Sequence, residues 1–256
     1  MNNLPSIEEL RSITEPESVM DRPNGEHWMG KLFFRRISPY FTREALRLGL
    51  SANQVTVIMI IFGLIGSWMF SLQGPIALLG FLGIQIYLLL DSVDGEVARY
   101  NKSESAIGIY LDRWGHYVVE GSIFIAFGFR ASQGSMNGYA VLGLAGGFLA
   151  LLSKAETDLV DSSRLHFGLG TMPKNATEMQ TPNLATGRRL VRFFPFHRLL
   201  HASEASIIGA VLIIIEAFVG ELFYTKTLVT SLFIIAAVVM PLHLVSILNS
   251  TRLTSH

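Results

Sequence analysis

Six apolar runs, near 54–72, 75–98, 107–129, 138–155, 205–223 and 227–248, dominate this 256-residue chain. Each approaches the ~20 residues that a helix needs to cross a bilayer. Together they predict an all-α, polytopic membrane protein with six transmembrane helices. Half of the residues are hydrophobic and the mean hydropathy is +0.42, too apolar for an ordinary soluble domain. The second run reaches spanning length only by including Asp91 to Ala98. Charge inside a span is expensive, so it usually marks function.

The flanks suggest how the bundle is framed. Residues 1–26 are polar and broken by Pro5, Pro16 and Pro23. Residues 27–50 interleave Trp28, Phe33, Phe34, Tyr40 and Phe41 with Lys31, Arg35, Arg36, Arg43 and Arg47. That composition suits an amphipathic helix in the headgroup layer; a soluble amphipathic helix packed on the protein is the alternative. Pro39 is expected to break the segment in two. The chain thus divides into an N-terminal cytoplasmic segment, 1–50, and a six-helix membrane domain, 51–256. Ser51 and Gln54 have the spacing of a capping box at the first span. Ser71 to Pro75, with Gly74, predicts a tight turn. Residues 154–204 are basic and punctuated by Gly168, Gly170, Pro173, Pro182 and Gly187. They read as a cytoplasmic loop carrying a short amphipathic helix near 187–201.

Seven Lys and Arg residues precede the first span, two lie at 99–106, seven lie at 154–204, and Arg252 follows the last span. Arg130 and Lys226 fall on the other side, and Arg113 lies inside the third run. The positive-inside rule then places both termini and the Asp91 region in the cytoplasm of an integral, multi-pass protein, in a bacterium that of the cell membrane. No basic region followed by an apolar stretch opens the chain, so no cleavable signal peptide is expected. A formal net charge of zero gives no sign of a nucleic-acid partner, and with no cysteine, disulfide and thiol chemistry are excluded.

Asp91 and Asp94 stand at i, i+3, and Asp112 and His116 at i, i+4. Each pair faces one way on its own helix. Two such helices side by side aim four ligand-type groups at one point, an arrangement that suits hard divalent cations.

The same stretch resembles the signature of CDP-alcohol phosphotransferases, D-x2-D-G-x2-A-R-x8-G-x3-D-x3-D. Asp91, Asp94, Gly95, Ala98, Arg99, Gly108 and Asp112 match it at that spacing, and His116 replaces its last aspartate. The resemblance implies a six-helix core and a homodimer. It implies transfer of a phosphoalcohol from a CDP-alcohol, CDP-diacylglycerol or a CDP-polyol, to the hydroxyl of a polyol, polyol phosphate or lipid, with release of CMP. Membrane lipids are the setting. Asp91, Asp94 and Asp112 would hold Mg2+ or Mn2+, and Arg99 would reach a phosphate. Gly95, Ala98 and Gly108 would let the nucleotide approach the backbone. Asn53 and Thr56 stand where relatives carry Asn and Thr before the first span; a simple helix cap by Asn53 or Ser51 is the alternative.

The family's last aspartate is assigned both metal binding and the general-base role. For His116 three readings stand: base, metal ligand without a base role, or a degenerate site. An ordinary imidazole pKa of ~6.5 suits proton abstraction near neutrality better than a carboxylate's ~3.9. Glu120, one turn on, would orient the imidazole or pair with Arg113 or a lysine. The acceptor side would use Lys154 and Arg192, from a run of Lys154, Glu156, Asp158, Asp161 and Arg164 and a cluster of Arg188, Arg189, Arg192, His197 and Arg198. Attraction to anionic headgroups explains the second cluster equally well. Glu216, in mid-span, should face the bundle or a dimer interface. Glu204 and His243 should make structural hydrogen bonds. Gly143, Gly146 and Gly147 predict close helix packing. An ion-coupled transporter is the rival class, but it should show symmetric halves with broken helices, whereas all three motif aspartates lie in one stretch. A catalytically inactive CDP-lipid-binding scaffold is the third.

Overall fold

A computed structural model describes residues 4–15, 33–170 and 199–254. Those residues form eight α-helices and no strand. The helices are α1 (Ile7–Thr14), α2 (Arg35–Arg47), α3 (Ala52–Ser71), α4 (Leu78–Tyr100), α5 (Ala106–Ala131), α6 (Gly138–His166), α7 (Ala202–Val219) and α8 (Phe223–Leu248). Short 3-10 turns, Pro75–Ala77 and Thr251–Leu253, precede α4 and follow α8.

Five segments are long and apolar enough to cross a membrane: Ala52–Ser71, Pro75–Tyr100, Gly138–His166, Ala202–Val219 and Phe223–Leu248. They mark the chain as an integral membrane protein. The third apolar run does fold as one 26-residue helix, α5. It is not among the five, because Asp112, Arg113, Glu120 and Arg130 interrupt its apolar surface.

Local signals account for several boundaries. Ser51 and Gln54 form the reciprocal box that opens α3: Ser51 N–H donates to Gln54 Oε1 at 2.9 Å, and Gln54 N–H to Ser51 Oγ at 3.3 Å. Gly74, at φ +72°, makes the turn into α4, a conformation that a side chain would strain. The fourth apolar run continues as helix to His166, so the predicted loop begins later than residue 154. The helix expected near 187–201 lies largely outside the described residues. Pro39 does not break its segment: it lies inside the continuous helix α2, on its buried face with Ser38, Thr42 and Ala45. One absent N–H there costs the helix a single bond, and burial of that face compensates. Phe33, Ile37, Tyr40, Phe41 and Leu48 are exposed on α2 and beside it, among exposed Arg36, Arg43 and Arg47; Trp28 and Lys31 lie outside the described residues.

The chain divides into two compact units, one of Met1–Gly66 and Leu82–Val119, the other of Ser67–Phe81 and Glu120–His256. In the first, Ala45, Val55, Val93 and Val97 form a buried core with Leu46, Leu50, Ala52 and Leu90 packed on it. Helices α3 and α4 touch backbone to backbone, since a Cβ on Gly83 would lie 2.7 Å from Gly66 Cα.

In the second unit, Gly143 packs on Gly128, where an added Cβ would come within 2.6 Å of its Cα, and Gly147 packs on the Gly121 carbonyl. The expected glycine packing of α6 is therefore present. Glu216 is buried and faces the bundle, 3.2 Å from Arg130 Nη2, and also accepts from the Thr225 N–H and hydroxyl. Arg130 further donates to the Leu72 carbonyl. His243 Nδ1 pairs with Glu156 at 3.0 Å, and Glu204 accepts from the Ser203 hydroxyl at 2.6 Å. Arg164 is buried and ties the end of α6 to the Leu169, Gly170 and Arg252 carbonyls.

Candidate active site

Helices α4 and α5 bring the sequence-predicted pairs together. Asp91 leaves α4, Asp112 and His116 leave α5, and one ligand atom from each lies within 4.8 Å of the others. His116 Nε2 is 3.0 Å from Asp91 Oδ1 and 3.4 Å from Asp112 Oδ1. All three side chains are partly open to solvent, at 25%, 36% and 40% exposure for His116, Asp91 and Asp112. Two carboxylate oxygens and one imidazole nitrogen, clustered and accessible, fit a divalent cation.

Asp94 is placed differently. It is 8% exposed, and its Oδ2 accepts from the Thr56 hydroxyl at 2.6 Å. Thr56 belongs to α3, so a residue predicted for the nucleotide side also holds a motif carboxylate in place. Asn53 is not the cap of α3, since Ser51 fills that role. Its Oδ1 lies 3.2 Å from where a Gly108 Cβ would stand, so Asn53 and Gly108 are neighbours. A Cβ on Gly95 would lie 2.9 Å from Arg99 Nη1. The small residue thus makes room for the guanidinium that follows it by one turn. Arg99 Nε donates to the Thr14 carbonyl at 2.7 Å, which caps the end of α1. Ala98 is half-buried on the same helix.

Two neighbours of the motif side chains escaped the sequence reading. Tyr87 is fully buried, and its hydroxyl lies 2.5 Å from His116 Nδ1. It precedes Asp91 by four residues, so the spacing itself held the signal. Glu96, inside the motif, is 2% exposed and accepts from Ser38 Oγ at 2.5 Å and Thr42 Oγ1 at 2.6 Å. These bonds tie α2 to the helix that carries Asp91 and Asp94.

Glu120, in the second unit, pairs with Lys154 at 2.6 Å, the lysine alternative among those raised by its position. Lys154, predicted for the acceptor, is therefore engaged with a carboxylate. Arg192, with Arg188, Arg189, His197 and Arg198, lies outside the described residues.

Residues 50–158 match the family model for CDP-alcohol phosphatidyltransferase. The match takes in the Asn53 and Thr56 region, the whole Asp91–His116 motif and Lys154. No curated protein matches the chain.

Proposed function

On the premise that the chain carries a CDP-alcohol phosphatidyltransferase domain at residues 50–158, we propose that it transfers a phosphoalcohol, from CDP-diacylglycerol or a CDP-polyol, to an acceptor hydroxyl and releases CMP. One observation carries the reading. The clustered ligand atoms of Asp91, Asp112 and His116 come from the motif that the family match covers.

Asp91, Asp94 and Asp112 hold Mg2+ or Mn2+ in this account. A divalent cation there supplies charge neutralisation of the pyrophosphate and polarisation of the phosphorus under attack. Arg99 adds a fixed cation beside the phosphates, and Gly95, Ala98, Gly108, Asn53 and Thr56 line the nucleotide side. The acceptor oxygen attacks the phosphorus that bears the alcohol. Its P–O bond forms as the bond to CMP breaks, and CMP leaves with the electron pair. The acceptor's proton passes to His116 Nε2.

His116 changes the division of labour. An aspartate has two oxygens, so it can bind a cation with one and accept a proton with the other. The imidazole offers one nitrogen to the cluster, because Nδ1 is engaged by Tyr87. It therefore serves one role at a time. We assign it the base. The 3.0 and 3.4 Å distances from Nε2 to the carboxylates favour a second reading, a cation ligand.

In the same proposal α5 is a sixth span, since its 26 residues suffice in length; Asp112 stands at the site, Glu120 and Arg130 are buried, and Arg113 is exposed in the first half of the helix. Helix α2 lies in the headgroup layer, supported by its exposed aromatic and arginine residues. Both termini and the site are cytoplasmic, where CDP-alcohols are made. Lys154 and Arg192 serve the acceptor, and a homodimer rests on the family resemblance alone.

The test is CMP release by purified protein in detergent, offering CDP-diacylglycerol and CDP-polyols against a panel of alcohols with Mg2+ or Mn2+. Cation-dependent release from one pair is expected. Nucleotide binding without release from any pair would instead indicate a scaffold.

A further inference from the structure

Tyr87 lies on α4 one turn before Asp91 and is 0% exposed. Its Oη is 2.5 Å from His116 Nδ1. The two rings meet edge-on, with centroids 5.7 Å apart and planes at 79°. The imidazole is thus held on both sides, because Nε2 faces Asp91 and Asp112. Ionised carboxylates accept hydrogen bonds and do not donate them. In a neutral ring with those partners the proton belongs on Nε2, and Nδ1 accepts from the tyrosine hydroxyl.

The usual outer partner of a functional imidazole is a carboxylate or a backbone carbonyl, which only accepts and so locks one tautomer. A tyrosine hydroxyl donates and accepts. We propose that Tyr87 is a positioning residue for His116 that pairs with Nδ1 in both tautomers. It donates to Nδ1 while Nε2–H rests on the carboxylates. It accepts from Nδ1–H once a divalent cation engages those carboxylates, leaving the Nε2 lone pair toward substrate. The ring's proton count is the same in both states. The second state rests on the proposed function; the first rests on the distances with a neutral imidazole facing ionised carboxylates.

The experiment is side-chain 15N NMR of the full chain, labelled at histidine, without and with Mg2+. The His116→Ala spectrum assigns the resonances, and the other six of the seven histidines report on an intact fold. Wild type should show protonated Nε2 and bare Nδ1 without cation, and the reverse with Mg2+. Tyr87→Phe should move the Nδ1 resonance toward that of an unpaired nitrogen and leave both tautomers populated with Mg2+. Its kcat should fall by roughly 10–100-fold with KM for the donor unchanged. Protonated Nδ1 in cation-free wild type, no exchange on adding Mg2+, or His116 signals unmoved by Tyr87→Phe would each overturn the proposal. Tautomer exchange in a chain that releases no CMP would instead sink the proposed function and leave the Tyr87 assignment standing.

Discussion

Asp91 Oδ1 lies 3.0 Å from His116 Nε2, a contact that joins α4 to α5 across 25 residues of sequence. A carboxylate at 116 would oppose Asp91 there, whereas an imidazole pairs with it. The substitution also puts a nitrogen donor among oxygens. Nitrogen raises affinity for transition-metal ions, while Mg2+ prefers oxygen and water. In the second reading, where His116 Nε2 is a cation ligand, Mn2+ should therefore saturate activity at a lower concentration than Mg2+, and His116→Asp should narrow that gap. Titration of CMP release with each ion measures it; a gap that is unchanged or wider in the variant rules out the ligand reading and leaves His116 as the base.

If His116 takes the acceptor proton, His116→Ala should lower kcat by roughly 10²–10⁴-fold and leave Mn2+ affinity within about threefold. A ligand role predicts the opposite split, with affinity weakened by tenfold or more on the order seen when a metal site's support is lost. Electron paramagnetic resonance of Mn2+ binding, run beside the kinetics, separates them.

Glu96 is a buried carboxylate held by two hydroxyls from α2. Losing one leaves the other to solvate the charge. Ser38→Ala or Thr42→Val alone should then cost about 1 kcal/mol. The double variant should cost more than the two together, because the carboxylate then has neither hydroxyl. Unfolding of the detergent-solubilised protein reports both. Simple additivity would mean that other groups carry the Glu96 charge.

The chain has no cysteine, so single cysteines report topology without a background. Lys102 is exposed in the turn between α4 and α5, and Met136 is exposed before α6. In intact cells an impermeant maleimide should label Met136→Cys and spare Lys102→Cys. The reverse pattern would overturn the cytoplasmic placement of the site.

Much of the helical frame was legible because apolar length, the capping box at Ser51 and the turn at Gly74 are local signals. Pro39 misled for a physical reason: its intrinsic cost to a helix is read from sequence, but the burial of its face beside Ser38 and Thr42 is not. The convergence of Asp91, Asp112 and His116 followed from helical spacing. The Thr56 bond to Asp94 and the Ser38 and Thr42 bonds to Glu96 did not, since they join residues 38, 58 and 54 positions apart. No local pattern specifies such pairs. Arg99 shows the same limit, for its residue type suggested a phosphate partner but gave no sign that its Nε also caps α1 at Thr14.

The most direct test of the central claim is CMP release by wild type, Asp91→Asn and Asp112→Asn with Mn2+ and the donor that wild type turns over, with Mn2+ binding measured on the same samples. Each asparagine keeps the shape of the aspartate and removes its charge. Both variants should lose Mn2+ affinity, and turnover should fall by at least about 100-fold, the scale on which electrostatic groups act in such sites. Wild-type turnover and affinity in Asp112→Asn would contradict a cation held between α4 and α5.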